Sequence, residues 1–211
     1  MSTRTILSTA GRLAGAAACV ISLASCGGEL LRTRRGPMFL QIDKMEATAG
    51  RGRSSASPFL LSDVQVLVDE TVNGVTTKVP AIFNDSATAT IRSVEKNPDG
   101  TVTVIAAITL TRYHVEFRRT DGRNTPGVDV PYGFDGGLGV TIGPGNQVLV
   151  PFEIVRHQAK LEPPLKNLAQ GGGLGFISTI AEVTFYGRDQ NGNEVTVTGR
   201  IDVQFGDFAD E

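Results

Sequence analysis

Apolar and polar residues alternate along most of the chain after residue 37. Val64, Val66 and Val68 lie on one side of such a run, and the same period of two recurs in later segments. Successive side chains of a β-strand point to opposite faces, so this spacing is typical of strands with one buried face. The 10 prolines and 25 glycines, which are spread along the chain, also leave little room for long helices. The pattern therefore predicts an all-β fold.

Turn sequences divide these runs into separate strands. Asn73-Gly74 lies between two β-rich runs and favours a type I′ hairpin, because that turn needs positive φ at both central residues. Asn97-Pro98-Asp99-Gly100 suits a type I turn, in which proline sets φ at the second position. With the other Pro- and Gly-rich stretches, these turns divide residues 37–211 into eight or nine strands.

One long run changes the side on which its apolar residues fall. From Val102 to Leu110 they share one parity, and from Tyr113 to Phe117 they share the other. No turn separates the two stretches. Because the side-chain period of a strand is two, such a change requires one extra residue, and we expect a β-bulge or bend near Thr111-Arg112.

The predicted architecture is an antiparallel β-sandwich, with closure into a barrel as the alternative. Hairpin connections without alternating helices favour two facing sheets. The strand count and spacing resemble those of immunoglobulin-like and fibronectin-type sandwiches. One short helix is expected at residues 163–170, where proline begins the segment and Gly171 follows it. Pro151 lacks a backbone N–H, so its strand should be an edge strand or bulged there.

The first 26 residues have the organisation of a secretory signal. Residues 1–12 carry two arginines and no acid, and residues 13–23 are uncharged and apolar. An apolar run of about 11 residues is too short to cross a bilayer, which needs about 20. Leu23-Ala24-Ser25-Cys26 follows directly. This tetrapeptide resembles the lipobox of bacterial lipoprotein precursors, and the alternative is an ordinary signal peptide with a cysteine near its cleavage site.

The resemblance to lipoprotein precursors implies specific processing. The Cys26 thiol would be diacylglycerated, the chain would be cut between Ser25 and Cys26, and the new amino group would be acylated. Residues 1–25 would be removed, residues 26–36 would form a lipidated basic tether, and residues 37–211 would form one domain. The mature chain would then have a single cysteine and no internal disulfide, so its fold must depend on its core.

Charge near the lipid favours contact with a membrane. Arg32, Arg34 and Arg35 lie within ten residues of Cys26, and anionic headgroups attract each such charge by about 1 kcal/mol. The alternative is a solvated linker. In the better-known lipoprotein sorting systems Asp after the cysteine favours the inner membrane, so Gly27 favours the outer membrane of a bacterial envelope. Nucleic acid is an unfavourable partner, because the net charge is −2 and no basic stripe carries aromatic residues.

One strand carries a row of charged residues that is the first candidate site. The residues fall on one side, opposite an apolar side, and could bind an anion or a carbohydrate, or place a histidine beside a carboxylate for acid–base chemistry. A solvated charge ladder is the alternative. The row consists of Arg112, His114, Glu116 and Arg118.

Aromatic residues in a Pro- and Gly-rich loop form the second candidate site. Tyr132 and Phe134 lie within residues 125–137. Loops of this kind often carry recognition, and aromatic side chains often anchor a partner. The alternative is that the loop folds back and plugs the end of the core.

Other segments have the composition of known sites without their spacing. Asp189 to Glu194 is rich in oxygen ligands, but the twelfth position from Asp189, where a calcium loop needs a bidentate acid, is Arg200. We interpret this segment as a hairpin turn. The Gly-rich run 171–175 lacks the Lys-Ser/Thr ending of a phosphate loop. His157 has no obvious partner in the sequence, so we expect it to be exposed. We therefore expect no catalytic residue, cofactor or metal.

These patterns predict a non-enzymatic, lipid-anchored envelope protein. The membrane would be reached through the N-terminal lipid, and the β domain would bind another envelope protein or act as a structural module. A lipoprotein that binds or senses a small molecule or glycan is the alternative function.

Overall fold

The computed structural model describes residues 36–50, 55–97, 104–170 and 175–208. The predicted signal, Cys26 and the basic run lie outside these ranges, as does most of the predicted turn at 97–100. Strand accounts for 63% and helix for 8% of the structure, which confirms the all-β class.

Ten strands and two short helices follow one another along the described chain, one strand more than the upper predicted count. They are β1 (Met38–Thr48), β2 (Phe59–Asp63), β3 (Val66–Val72), β4 (Val75–Ala81), β5 (Asp85–Glu95), β6 (Ile108–Arg118), β7 (Phe134–Ile142), β8 (Gln147–Val155), α1 (His157–Lys160), α2 (Leu165–Gln170), β9 (Phe176–Asp189) and β10 (Glu194–Gly206). A short 3₁₀ helix, Val104–Ala106, precedes β6.

The strands form a five-stranded sheet, a three-stranded sheet and a separate hairpin. The orders are β2-β10-β9-β6-β7, β1-β5-β8 and β3-β4, and the largest sheet is curled. Neighbouring strands are antiparallel except β2 and β10, which run parallel with Asp202 beside Phe59. The expectation of a wholly antiparallel arrangement is therefore wrong at β2. These two strands are far apart in sequence, so no hairpin sets their relative direction.

The two larger sheets pack against each other through their apolar faces. The ring of Phe152 in β8 lies 5.3 Å from the ring of Tyr113 in β6 and 5.3 Å from that of Phe185 in β9. At one side β1 lies against β10, where Ile42 and Met45 occupy the space that a Cβ on Gly199 would need. A single core cluster draws on both sheets. The period of two in the sequence therefore reflects burial of one face of each sheet.

Several local predictions are confirmed. Asn73 and Gly74 have φ of 54° and 79° between β3 and β4, as a type I′ hairpin requires. The pairing of β6 shifts between Leu110 and Arg112 on both of its neighbours, which places the bulge at Thr111. Pro151 lies in β8, which is an edge strand of the three-stranded sheet.

The predicted helix at 163–170 is confirmed as α2, and α1 was not predicted. Two prolines precede α2, and proline is well suited to the start of a helix. Helix α1 has only four residues, and Arg156 at its N-terminal boundary makes no side-chain capping hydrogen bond. It therefore lacks the sequence signals by which a helix start is recognised.

The two sheets have two ends, and the described chain begins at one of them. The chain enters at Gly36 beside Asp189, whose Oδ2 would lie 3.4 Å from a Cβ on Gly36. Asp189 pairs with Ile108 at the start of β6. We call this end the tether pole; it contains Gly36, the 3₁₀ helix and the turns at 143–146 and 190–193.

The opposite end, which we call the loop pole, contains residues 119–133, α1, α2 and the base of the β3–β4 hairpin. It lies where β6 and β8 end and β5 begins. Strand β6 has 11 residues, so the poles are separated by about 35 Å. In the described part of the chain, β3 and β4 form strand pairs only with each other, and we call this hairpin the β3–β4 arm. Its base is anchored, since Val66 is buried.

Candidate functional site

The charged row on β6 lies on the outer surface of the five-stranded sheet, as predicted. Arg112, Glu116 and Arg118 are exposed and His114 is half-buried. The intervening residues, beginning with Tyr113, are buried in the core. Alternation along β6 therefore separates a charged outer face from an apolar inner face.

The charges of this row are neutralised by neighbours in the same sheet. The Oδ1 atom of Asp135 in β7 lies 3.2 Å from Nη1 of Arg112 and 3.3 Å from Nδ1 of His114. Arg118 contacts Glu116 at 3.1 Å and Glu182 of β9 at 2.9 Å. The hydrogen bond to Glu116 raises the pKa of the Arg118 guanidinium. This pairing favours the charge-ladder interpretation, because exposed ion pairs are screened by water and contribute little to stability.

A small pocket of about 200 Å³ adjoins the bulge at the end of the charged row. The Arg112 guanidinium lies 3.7 Å from the centre of the Tyr186 ring, and Arg188 and Glu194 complete the wall. Gly187 is required here, because a Cβ would lie 2.7 Å from the carbonyl oxygen of Thr109. β-bulges often redirect side chains next to functional sites. The bulge was visible in the sequence, but the contribution of β9 to the pocket was not.

The loop pole carries a second concavity, which we call the Tyr132 groove. Its volume is about 190 Å³. It lies between the loop that precedes β7 and helix α1. Its wall includes Pro131, Tyr132, Phe134, Arg156, Glu162 and Pro163.

The two aromatic residues of the predicted loop site have different environments. Tyr132 is 58% exposed. Phe134 begins β7 and is half-buried, with its ring 6.2 Å from that of Tyr113 and the Arg156 guanidinium 4.0 Å from its centre. Phe134 therefore packs against the core, whereas the Tyr132 ring is exposed at the groove. The sequence left two alternatives, a recognition loop and a plug of the core, and neither alternative describes both residues.

Backbone contacts hold the loop around Tyr132 in one shape. Gly127 N–H donates to the Val130 carbonyl at 2.8 Å, and Thr125 N–H donates to Asp129 Oδ2 at 3.1 Å. Val130 is buried. Gly127 has φ of 75° and lies against the Tyr132 ring, where a side chain would collide with it. A loop that is ordered before binding has less conformational entropy to lose on binding.

A buried ion pair lies behind the groove and was not predicted. Lys160 Nζ of α1 lies 2.9 Å from Asp85 Oδ2 of β5, and both side chains are only 1% exposed. Ser62 Oγ donates to Asp85 Oδ2 at 2.6 Å, and Gly50 N–H donates to Asp85 Oδ1 at 2.7 Å. The cluster ties α1 to the sheets and is closed to solvent, so we assign it a structural role.

His157 lies at the surface, as expected, but it has a partner. Its backbone N–H donates to Asn84 Oδ1 at 2.7 Å, and its ring Nδ1 lies 3.1 Å from the same oxygen. Asn84 in turn donates to the Glu153 carboxylate. This partner was not visible in the sequence, because Asn84 precedes β5 and lies far from His157 along the chain.

The segment from Asp189 to Glu194 forms a hydrogen-bonded turn. Asp189 Oδ1 accepts the N–H groups of Asn191 and Asn193 at 3.0 and 2.8 Å, and Oδ2 accepts the Asn193 side-chain amide at 2.7 Å. Gly192 has positive φ. Both oxygens of the Asp189 carboxylate therefore accept hydrogen bonds from amide groups of the turn. Across the four described ranges, no cluster of three or more His, Cys, Asp or Glu residues is placed to hold a metal.

No family model matches the chain, and a search of curated proteins found no significant relative. Neither described helix is long and apolar enough to span a bilayer.

Proposed function

We propose that this protein is a lipid-anchored component of the bacterial envelope whose β domain is a non-enzymatic protein-binding or structural module. Acylation at Cys26 would attach the protein to a membrane, and Gly27 favours the outer membrane. The observation that carries the proposal is the opposition of the two poles. The chain arrives from the lipobox at one pole, and the exposed Tyr132 ring lies at the other.

The Tyr132 groove has properties that suit a protein partner. Aromatic and proline side chains line the groove together with the polar Gln158 and Glu162, and the Arg156 guanidinium lies over the Phe134 ring. Aromatic residues and arginine are enriched among the residues that dominate binding energy. We also retain the proposal that the two facing sheets are related to immunoglobulin-like sandwiches.

Cys26→Ser should abolish incorporation of labelled palmitate and leave the chain uncleaved or soluble. The acylated thiol and the cleavage site both depend on that residue. Cys19→Ser is the matched control, because it removes the other cysteine of the precursor and should leave labelling intact. Continued labelling of the Cys26→Ser protein would show that the lipobox assignment is wrong.

Tyr132→Ala should weaken capture of the partner without lowering the melting temperature. An aromatic anchor contributes about 2 kcal/mol, which corresponds to roughly a 30-fold loss of affinity. The partner would be identified by crosslinking the acylated protein in its native envelope, and its affinity would then be measured with purified components. Val128→Ala is the control, because Val128 is exposed in the same loop but does not line the groove. Equal affinity of the two variants would exclude the groove as the interface.

A small-molecule or glycan-binding lipoprotein is the second candidate function, and the pocket beside the bulge favours it. Arg112 lies over the Tyr186 ring there and Arg188 also lines the pocket, which is suitable chemistry for a carboxylate or a sugar. Each arginine already has an acidic partner, so a ligand would have to compete for it. This is why we place the protein-binding function first.

A further inference from the structure

Two exposed aliphatic side chains lie at the tether pole. Val104 is 80% exposed and Ile105 is 48% exposed on the 3₁₀ helix that precedes β6. The third residue of this helix, Ala106, is buried, and Ala107 N–H donates to the Val104 carbonyl at 3.1 Å. The helix is therefore fixed to the end of the sheet, with its two apolar side chains directed away from the core.

The chain enters the domain at this same pole. Asp189 lies beside Gly36 and pairs with Ile108, which is four residues after Val104. Gly36 is ten residues after Cys26, so the tether reaches at most about 36 Å when fully extended. If Cys26 carries lipid, the bilayer surface lies within this distance of Gly36.

The sequence just before Gly36, rather than the described face of the tether pole, carries the positive charge that suits an anionic lipid surface. Among the described residues of this pole, Arg188 is paired with Glu194 at 2.6 Å, and the Asp189 carboxylate accepts hydrogen bonds from turn amides. Glu95 and Lys96, opposite charges at the end of β5, lie at the same pole. In the sequence, Arg32, Arg34 and Arg35 place three positive charges within four residues of Gly36. Anionic headgroups attract basic residues placed close to the surface.

We propose that the tether pole lies against an anionic bilayer surface, with Val104 and Ile105 inserted among the headgroups. The inference rests on the proposed lipid anchor and adds the orientation of the domain. Two aliphatic side chains bind a bilayer weakly on their own, but a short tether raises their effective concentration at the surface. In this orientation the Tyr132 groove and the β3–β4 arm face away from the membrane.

Single labelled cysteines test the orientation. Acylation of Cys26 would leave the mature chain without a free thiol, so an introduced cysteine can be labelled uniquely with an environment-sensitive nitrobenzoxadiazole dye. We place the dye at Val104→Cys and, as the matched control, at Val72→Cys, which is exposed at the tip of the β3–β4 arm. The mature acylated proteins are reconstituted into vesicles of phosphatidylcholine and phosphatidylglycerol, with and without lipids that are spin-labelled near the headgroup.

The spin-labelled lipid should quench the dye at residue 104 several-fold more than the dye at residue 72. Replacing phosphatidylglycerol with phosphatidylcholine should reduce quenching at residue 104. Quenching mainly at residue 72, or at neither residue, in protein whose Cys26 acylation is verified by mass would overturn the orientation and leave the lipid anchor intact. Failure to obtain acylated protein would overturn the anchor and the orientation together. A second label at Ile105→Cys should repeat the result for residue 104.

Discussion

Lys160→Met should lower the free energy of unfolding by about 3–5 kcal/mol, because it leaves the Asp85 carboxylate buried without its cation. Lys160 Nζ and Asp85 Oδ2 are 2.9 Å apart in the interior. The hydrogen bonds from Ser62 and Gly50 hold the carboxylate in place, so it cannot turn outward to water. Chemical denaturation of the wild-type and variant domains would measure the loss.

A surface pair provides the control for the buried one. Arg188 Nη2 lies 2.6 Å from Glu194 Oε1, but Arg188 is exposed, so Arg188→Met should cost less than about 1 kcal/mol. Adding Asp85→Asn to Lys160→Met should recover part of the lost stability, because the remaining group is uncharged. Equal losses for Lys160→Met and Arg188→Met would show that the interior pair is not closed to water.

Phe185→Ala should destabilise the domain by about 3–5 kcal/mol, the usual cost of removing a large buried aromatic side chain. Phe185 is fully buried in β9, and its ring meets that of Phe152 from the opposite sheet at a centroid distance of 5.3 Å. The substitution would open a cavity between the two sheets. Thermal and denaturant unfolding, followed by circular dichroism, would report the change.

Phe176→Ala is the matched control for this cavity. Phe176 lies at the start of the same strand but is 68% exposed, so its removal should change stability by no more than about 0.5 kcal/mol. If Phe185→Ala and Phe176→Ala changed stability to a similar extent, that result would contradict the packing of the two sheets through Phe152 and Phe185.

Features fixed by local chemistry were predictable from the sequence. The Asn73-Gly74 hairpin depends on the positive φ that these two residues tolerate. The bulge at Thr111 follows from the change of parity within one strand, and the edge position of β8 follows from the missing N–H of Pro151. In each case the signal lies within a few residues of the feature.

Features that join distant segments were not predictable. The parallel pairing of β2 with β10 and the ion pair between Asp85 and Lys160 each connect parts of the chain that no local pattern links. Tyr132 and Phe134 looked equivalent in the sequence. The structure distinguishes them. Phe134 is the first residue of β7 and pairs with Val115 of β6, whereas Tyr132 lies in the preceding loop and is exposed.

The N-terminal tryptic peptide of the protein, purified from its native membrane, tests the lipid anchor most directly. Cleavage before Cys26 and trypsin digestion after Arg32 would give the peptide Cys26–Arg32, since no other basic residue lies between them. Mass spectrometry should find this peptide with a diacylglyceryl group on the cysteine sulfur and an acyl group on the amino terminus. An unmodified Cys26, or a mature chain that begins at another residue, would contradict the proposal.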